Sequence, residues 1–192
     1  MALDVVGQRW TLLLIRELLP GPRRFTDLRL PGLTPNVLSD RLTHLSDAGL
    51  IERFELPPPA ARSVWALTAR GRELEPAILA LGAFGAAYLQ QPSGLTLSHR
   101  WMMVSLQRRY PGGAPEGVVH LTLGDTPYTV TIDPVSAVVR DGHLGTATAS
   151  LTGPVMDMAG VLARGQPIGA GTQVNGDGGY LQHWLSVLTR VR

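Results

Sequence analysis

Cysteine is absent from the 192 residues, which excludes disulfides, thiolate metal sites and thiol redox switches together. Lysine is absent as well: all 17 cationic side chains are arginine, set against 15 carboxylates for a formal charge of +2. So small an excess does not by itself indicate a polyanionic partner, although guanidinium groups suit phosphate. Divided at residue 90, the two parts hold 10 arginines against 9 acids and 7 against 6, so any basic patch has to be local. No apolar run approaches the roughly 20 residues of a bilayer span. The opening "MALDVVGQRWTLLLIRELL" carries Asp4, Arg9, Arg16 and Glu17, unlike a secretory signal. The expectation is a cytoplasmic chain with no membrane partner.

Enzyme signatures are missing too. His99, His120, His143 and His183 lack the HxH or HxxxH spacing of a metal site. There is no G-x-S-x-G elbow or P-loop, and "GAGTQVNGDGG" lacks the strand-then-helix setting of a dinucleotide loop. No metal, cofactor or catalytic group is expected.

What is present falls into two regions. Up to residue 89 the pattern is helical with one extended interlude; "QQPSG" then breaks it, and after residue 117 alternating β-branched runs read as strands. The expected organisation is a first domain over 1–90, a linker over 91–97 and a second domain over 98–192, an α+β chain overall.

In the first domain a helix is expected from about Leu3 to Leu19, and a short one from Phe25 to Leu30 before the tight turn "PGL". In "LTPNVLSDRLTHLSDAGLIERF" Thr34 is an N-cap, Pro35 stands at the first helical position and Gly49 is the stop. Leu38, Leu42 and Leu45 share the buried face, with Asn36, Asp40, Thr43 and Asp47 opposite. Short helix, glycine-containing turn and second helix make a helix-turn-helix, and the strands "LIERFEL" and "SVWALTA" joined by "PPPAAR" add a wing. That geometry places the helix in a major groove of double-stranded DNA. Thr34, Asn36, Val37 and either Asp40 or His44 are the candidates near bases, with Arg23, Arg24, Arg41 and Arg62 on phosphates. Plainer readings stand beside these: Asp40 orienting an arginine or facing solvent, Arg41 pairing with an acid, and Trp10 and Trp65 as core.

"ALDVVGQRWTLLLIRELLPGPRRFTDLR", "PGLTPNVLSDRLTHLSDAGLIER" and "VWALTARGREL", in that order over residues 2–89, resemble the HxlR-type branch of the winged-helix transcription regulators, related to the MarR group. The resemblance implies a homodimer built through the first and last helices of this domain, bound to a pseudo-palindromic operator. The cysteine of the redox-sensing members is missing here.

The second domain combines strands with bulky flexible side chains: Trp101, Met103, Met156, Met158, Tyr180 and Trp184. Unbranched Met and flat rings suit either an adaptable apolar pocket or a well-filled core. The strand run "VVHLTLGDTPYTVTIDPVSAVVRDG", then "ATASLTGPVMDMAGVLARG" and "GTQVNGDGGYLQHWLSVL", resembles the sterol carrier protein type 2 fold over residues 98–190. That resemblance implies a mixed α/β domain with an apolar tunnel, in which those six residues would meet a hydrophobic small-molecule effector. The combined expectation is a ligand-responsive transcriptional repressor. Its alternatives are a constitutive DNA-binding regulator whose second domain only supports dimerisation, and a lipid-binding carrier.

Overall fold

The computed structural model describes residues 2–56, 63–86 and 99–189, and the chain divides into two compact units, Met1–Tyr88 and Leu89–Arg192. Arg62 and the expected linker, 91–97, lie outside the described residues.

In the first unit the expected opening helix is two helices, α1 (Ala2–Val6) and α2 (Thr11–Leu18). The Gly7 N–H still donates to the Leu3 carbonyl at 2.7 Å, but the chain then turns through Trp10, whose φ of 78° is the left-handed conformation bulky side chains avoid. Contacts hold the ring there: the Arg9 guanidinium lies 4.7 Å above it, and Gly32 of the "PGL" turn leaves room against its edge. Leu14, Ile15 and Leu18 of α2 are buried. The short second helix is a 3-10 turn, Phe25–Leu28, two residues shorter than expected.

Helix α3 (Pro35–Asp47) starts and stops as its sequence dictates: the Thr34 hydroxyl accepts from the Val37 N–H, and Gly49 follows at φ 69°. Its leucines Leu38, Leu42 and Leu45 are buried. Strands β1 (Ile51–Glu55) and β2 (Ser63–Leu67) pair antiparallel, with Arg53 opposite Trp65. On the other side of β2, Arg23 and Trp65 exchange both backbone hydrogen bonds, at 2.8 and 2.7 Å, so Trp65 stands between two arginines.

The expected long exit helix is also broken, into α4 (Ala69–Arg72) and α5 (Glu75–Ala86). Pro76 has no N–H to donate to a continuing helix, so a new one starts around it. Thr68 caps α4, accepting from the Gly71 N–H at 3.0 Å and donating to the Gly49 carbonyl at 2.7 Å. Leu3 on α1 and Leu81 and Phe84 on α5 are large apolar side chains left exposed.

The second unit is a five-stranded mixed sheet with helices. After α6 (His99–Arg109), β3 (Gly117–Leu123), β4 (Thr126–Ile132) and β5 (Ala137–Asp141) form an antiparallel meander. Strand β6 (Ala149–Gly153) then joins the far side of β3 in parallel, α7 (Val155–Arg164) follows, β7 (Gln173–Gly176) closes the edge and α8 (Gly178–Thr189) ends the unit, giving the order β5-β4-β3-β6-β7. Register puts Val119, Leu121, Val130, Val139 and Leu151 on one face, and α6, α7 and α8 bury that face. The opposite face carries His120, stacked on His143 at 4.4 Å between ring centroids.

Polar ties pin the helices to the sheet. Buried Arg100 donates to both carboxylate oxygens of Asp141 at 2.6 and 2.8 Å, and the Gln107 amide oxygen accepts from the Val139 N–H. The Tyr180 hydroxyl donates to the Pro115 carbonyl at 3.0 Å. Burial, helped by neighbouring Tyr110, pushes that phenol up to about 12 from its ordinary 10.0. A folded-state value raised in this way contributes stability that is complete below about pH 10 and is lost as the pH climbs through about 12. Denaturant midpoints measured across that window should fall more steeply for the natural chain than for Tyr180→Phe.

Candidate nucleic-acid interface

A helix advances about 100° per residue. On α3 this aligns Asn36, Asp40, Thr43 and Asp47 along a ridge opposite the buried leucines, and all four are exposed. Thr34 and Asn36 project at the helix start, where a recognition helix meets base edges, and half-buried Val37 lies beside them. Asp40 forms no ion pair among the described residues and faces solvent, so the ridge is polar but not basic.

His44 stands apart from the exposed candidates. It lies on the α1 side of the ridge, half-buried, and its Nε2 is 3.0 Å from the Val5 carbonyl. The ring serves as a tie between α1 and α3, a role invisible in sequence because its partner is 39 residues away. Arg41 is half-buried on the same flank.

Of the expected phosphate contacts, Arg24 is exposed just before the 3-10 turn, whereas Arg23 is half-buried beside Trp65. Trp10 and Trp65 are also half-buried, not core as expected. Trp65 belongs instead to a cleft of about 430 Å³ on the other flank of α3, lined by Phe25, Ser39, Leu42, Thr43, Arg53, Ser63 and Trp65. None of these seven was singled out as a binding residue in the sequence.

The second-unit candidates disperse. Met103, Met158 and Trp184 are fully buried core residues, Trp101 and Tyr180 are half-buried, and Met156 is exposed. The space described in this unit lies elsewhere, a groove of about 410 Å³ between α7, the 165–168 loop and α8, and none of the six lines it. Among the described residues no cluster of histidines and carboxylates is able to hold a metal ion, and no helix is long and apolar enough to cross a membrane.

The sequence profile of the HxlR-like helix-turn-helix family matches residues 5–93. The HTH-type transcriptional regulator sll1512 of Synechocystis sp., itself uncharacterized, is 38 % identical over 92 residues, covering 47 % of this chain and 68 % of the relative. Rv3095 of Mycobacterium tuberculosis, likewise an uncharacterized HTH-type regulator, is 43 % identical over 94 residues, with 48 % of this chain and 60 % of the relative covered. The regulator YodB of Bacillus subtilis is 32 % identical over 76 residues, with 38 % and 68 % covered. Among solved structures, the redox regulator HypR in its reduced form superposes on 45 % of this chain and 87 % of its own at a TM-score of 0.42 and 30 % identity. None of these relatives bears an enzyme's name.

Proposed function

This chain belongs to the HxlR-like helix-turn-helix family, and from that premise we propose that it is a DNA-binding transcriptional regulator acting as a homodimeric repressor. The observation that carries the reading is the exposed ridge of α3, with Thr34 and Asn36 at its leading end, set between the Arg24 turn and the β1–β2 wing. Major-groove insertion needs such a protruding, polar, capped helix, and phosphate contact needs exposed arginine at its margins.

Dimerisation is supported by Leu3 and Leu81, large apolar groups on α1 and α5 that stand exposed on one copy. A two-fold pair seated in two major grooves blocks other proteins from the same DNA, which is repression by occupancy. An apolar effector in the second unit is supported by the groove beside α8, walled by Val161, Ile168 and Leu185 with Gln166 and Gln182 as polar groups. Preferential binding to one conformation with a coupling of about 1–3 kcal/mol gives roughly 5-fold to 150-fold control.

Two substitutions test the interface. Arg24→Ala should weaken binding to all duplexes alike and reduce the magnitude of the slope of log K against log salt by about one. Asn36→Ala should cost about 1–3 kcal/mol on the preferred sequence and little on unrelated DNA. Fluorescence anisotropy over a salt series reads both, and natural-chain behaviour in both variants would contradict the docking.

A further inference from the structure

We propose that the open edge of the second unit's sheet, strand β7, pairs antiparallel with the same strand of a second copy of this chain, joining the two sheets into one. The two edges of this sheet differ in a way that points to such a pairing. In antiparallel strands the backbone groups of alternate residues turn toward and away from the neighbour. The Gly142 N–H donates to the Pro127 carbonyl, so on β5 Val139 falls among the outward residues. Side chains of the same chain seal both its groups: the Val139 N–H donates to Gln107 Oε1 at 3.0 Å, and its carbonyl accepts from Arg140 Nη1 at 2.8 Å.

Strand β7 lacks that protection. The Asp177 N–H donates to the Thr148 carbonyl at 2.9 Å, which turns Gln173 and Asn175 toward β6 and leaves Val174 and Gly176 pointing outward. Among the described residues nothing caps the N–H of Val174 or Gly176 or the Val174 carbonyl. Every residue of the strand is exposed, and none is a proline or a charge of the kind that blunts an edge. The next charge, Asp177, is turned to accept the Tyr180 N–H at the start of α8.

A second copy fits this edge because the edge is complementary to itself. A two-fold axis at Val174 sets that residue opposite its own copy and Gln173 opposite Asn175. The Val174 N–H then donates to the copy's Val174 carbonyl, the Gly176 N–H to the copy's Thr172 carbonyl, and both bonds are repeated in reverse. Val174 shares the face of buried Leu151 yet is 38 % exposed, so two valines cover each other. Gln173 and Asn175 lie on the face of Thr152 and Ser150, and their carboxamides both donate and accept. No like charges meet. So short an edge holds a partner from solution weakly, but two copies joined at their first units bring the second edge to high local concentration. To that extent the inference rests on the homodimer reading.

Amide exchange followed by NMR and cross-linking, both on the full chain, test the pairing. The outward Val174 and Gly176 amides should exchange about tenfold or more slowly than unpaired amides. Val174→Pro removes only an outward donor, so it should free the Gly176 amide while Gln173 and Asn175 stay protected. Leu81→Asp, which breaks the first-unit contact, should free both outward amides. Because the chain has no cysteine, Val174→Cys offers a single thiol, which a short thiol-reactive linker should join in pairs several-fold faster than Val135→Cys, a side chain 83 % exposed between β4 and β5. Outward amides that exchange freely, protection undiminished in both Val174→Pro and Leu81→Asp, or Val174→Cys linking no faster than Val135→Cys, would each overturn the proposal. Freely exchanging outward amides in a chain that native mass spectrometry shows to be a dimer would refute the edge pairing and leave the homodimer standing. Fast Val174→Cys linking that survives Leu81→Asp would uphold the edge and refute the contact through α1 and α5 instead.

Discussion

Replacing Trp184 with alanine is expected to destabilise the second unit by about 3–5 kcal/mol. Trp184 is fully buried on α8, in the same core as Met103 and Met158 of α6 and α7 and Leu121 and Leu151 of the sheet. Removing an indole from such a site loses its transfer energy and leaves a cavity that the β3–β6 pair and two flanking helices cannot close. Amide exchange in β3 and β6 should accelerate by roughly two to three and a half orders of magnitude, with the first unit unaffected. Trp184→Phe should cost distinctly less, since the lost indole N–H has no acceptor among the described residues. The size of the effect also separates the two readings of these side chains: a tryptophan lining an open tunnel would give up under about 1 kcal/mol on truncation, because the space beside it is already empty.

The second large effect is expected at Gly71, where alanine should cost about 3 kcal/mol, the upper end of overpacking penalties. A Cβ there would lie 2.0 Å from the Leu50 carbonyl oxygen and 3.1 Å from a Leu67 methyl. That carbonyl cannot swing aside cheaply, because it accepts the Thr68 N–H at 3.1 Å. The strain falls where α3 turns into β1, so Gly71→Ala should loosen the DNA-reading geometry as well as lower the melting temperature. Gly49→Ala is the control: its φ of 69° strains any side chain, but nothing lies within 4 Å, so about 1–2 kcal/mol is expected. A Gly71→Ala protein as stable as the natural chain would show that α4 does not pack on the helix–strand junction in this way.

Local signals made α3 legible in the sequence, because Thr34, Pro35, the leucine spacing and Gly49 each act within a few residues. The strands were legible for the same reason, since alternation requires only that one face be buried. Features that depend on distant partners were hidden. The apolar spacing runs on through Gly7–Trp10, so nothing in the periodicity marked the turn that separates α1 from α2. The His44 tie needs Val5, and the Arg53 cleft draws on the 3-10 turn, α3 and both wing strands. In the second unit, methionine and tryptophan suit a core and a tunnel equally, and only packing assigns Met103, Met158 and Trp184 to the core.

The central claim, that α3 reads duplex DNA as one half of a dimer, is tested most directly by selecting bound sequences from a random double-stranded library with the full chain. The account predicts an enriched inverted repeat with half-sites centred about 10–10.5 base pairs apart or a multiple of that, bound with an affinity that falls steeply and linearly in log–log form with salt. No enriched sequence, together with retention that does not change with salt, would contradict it.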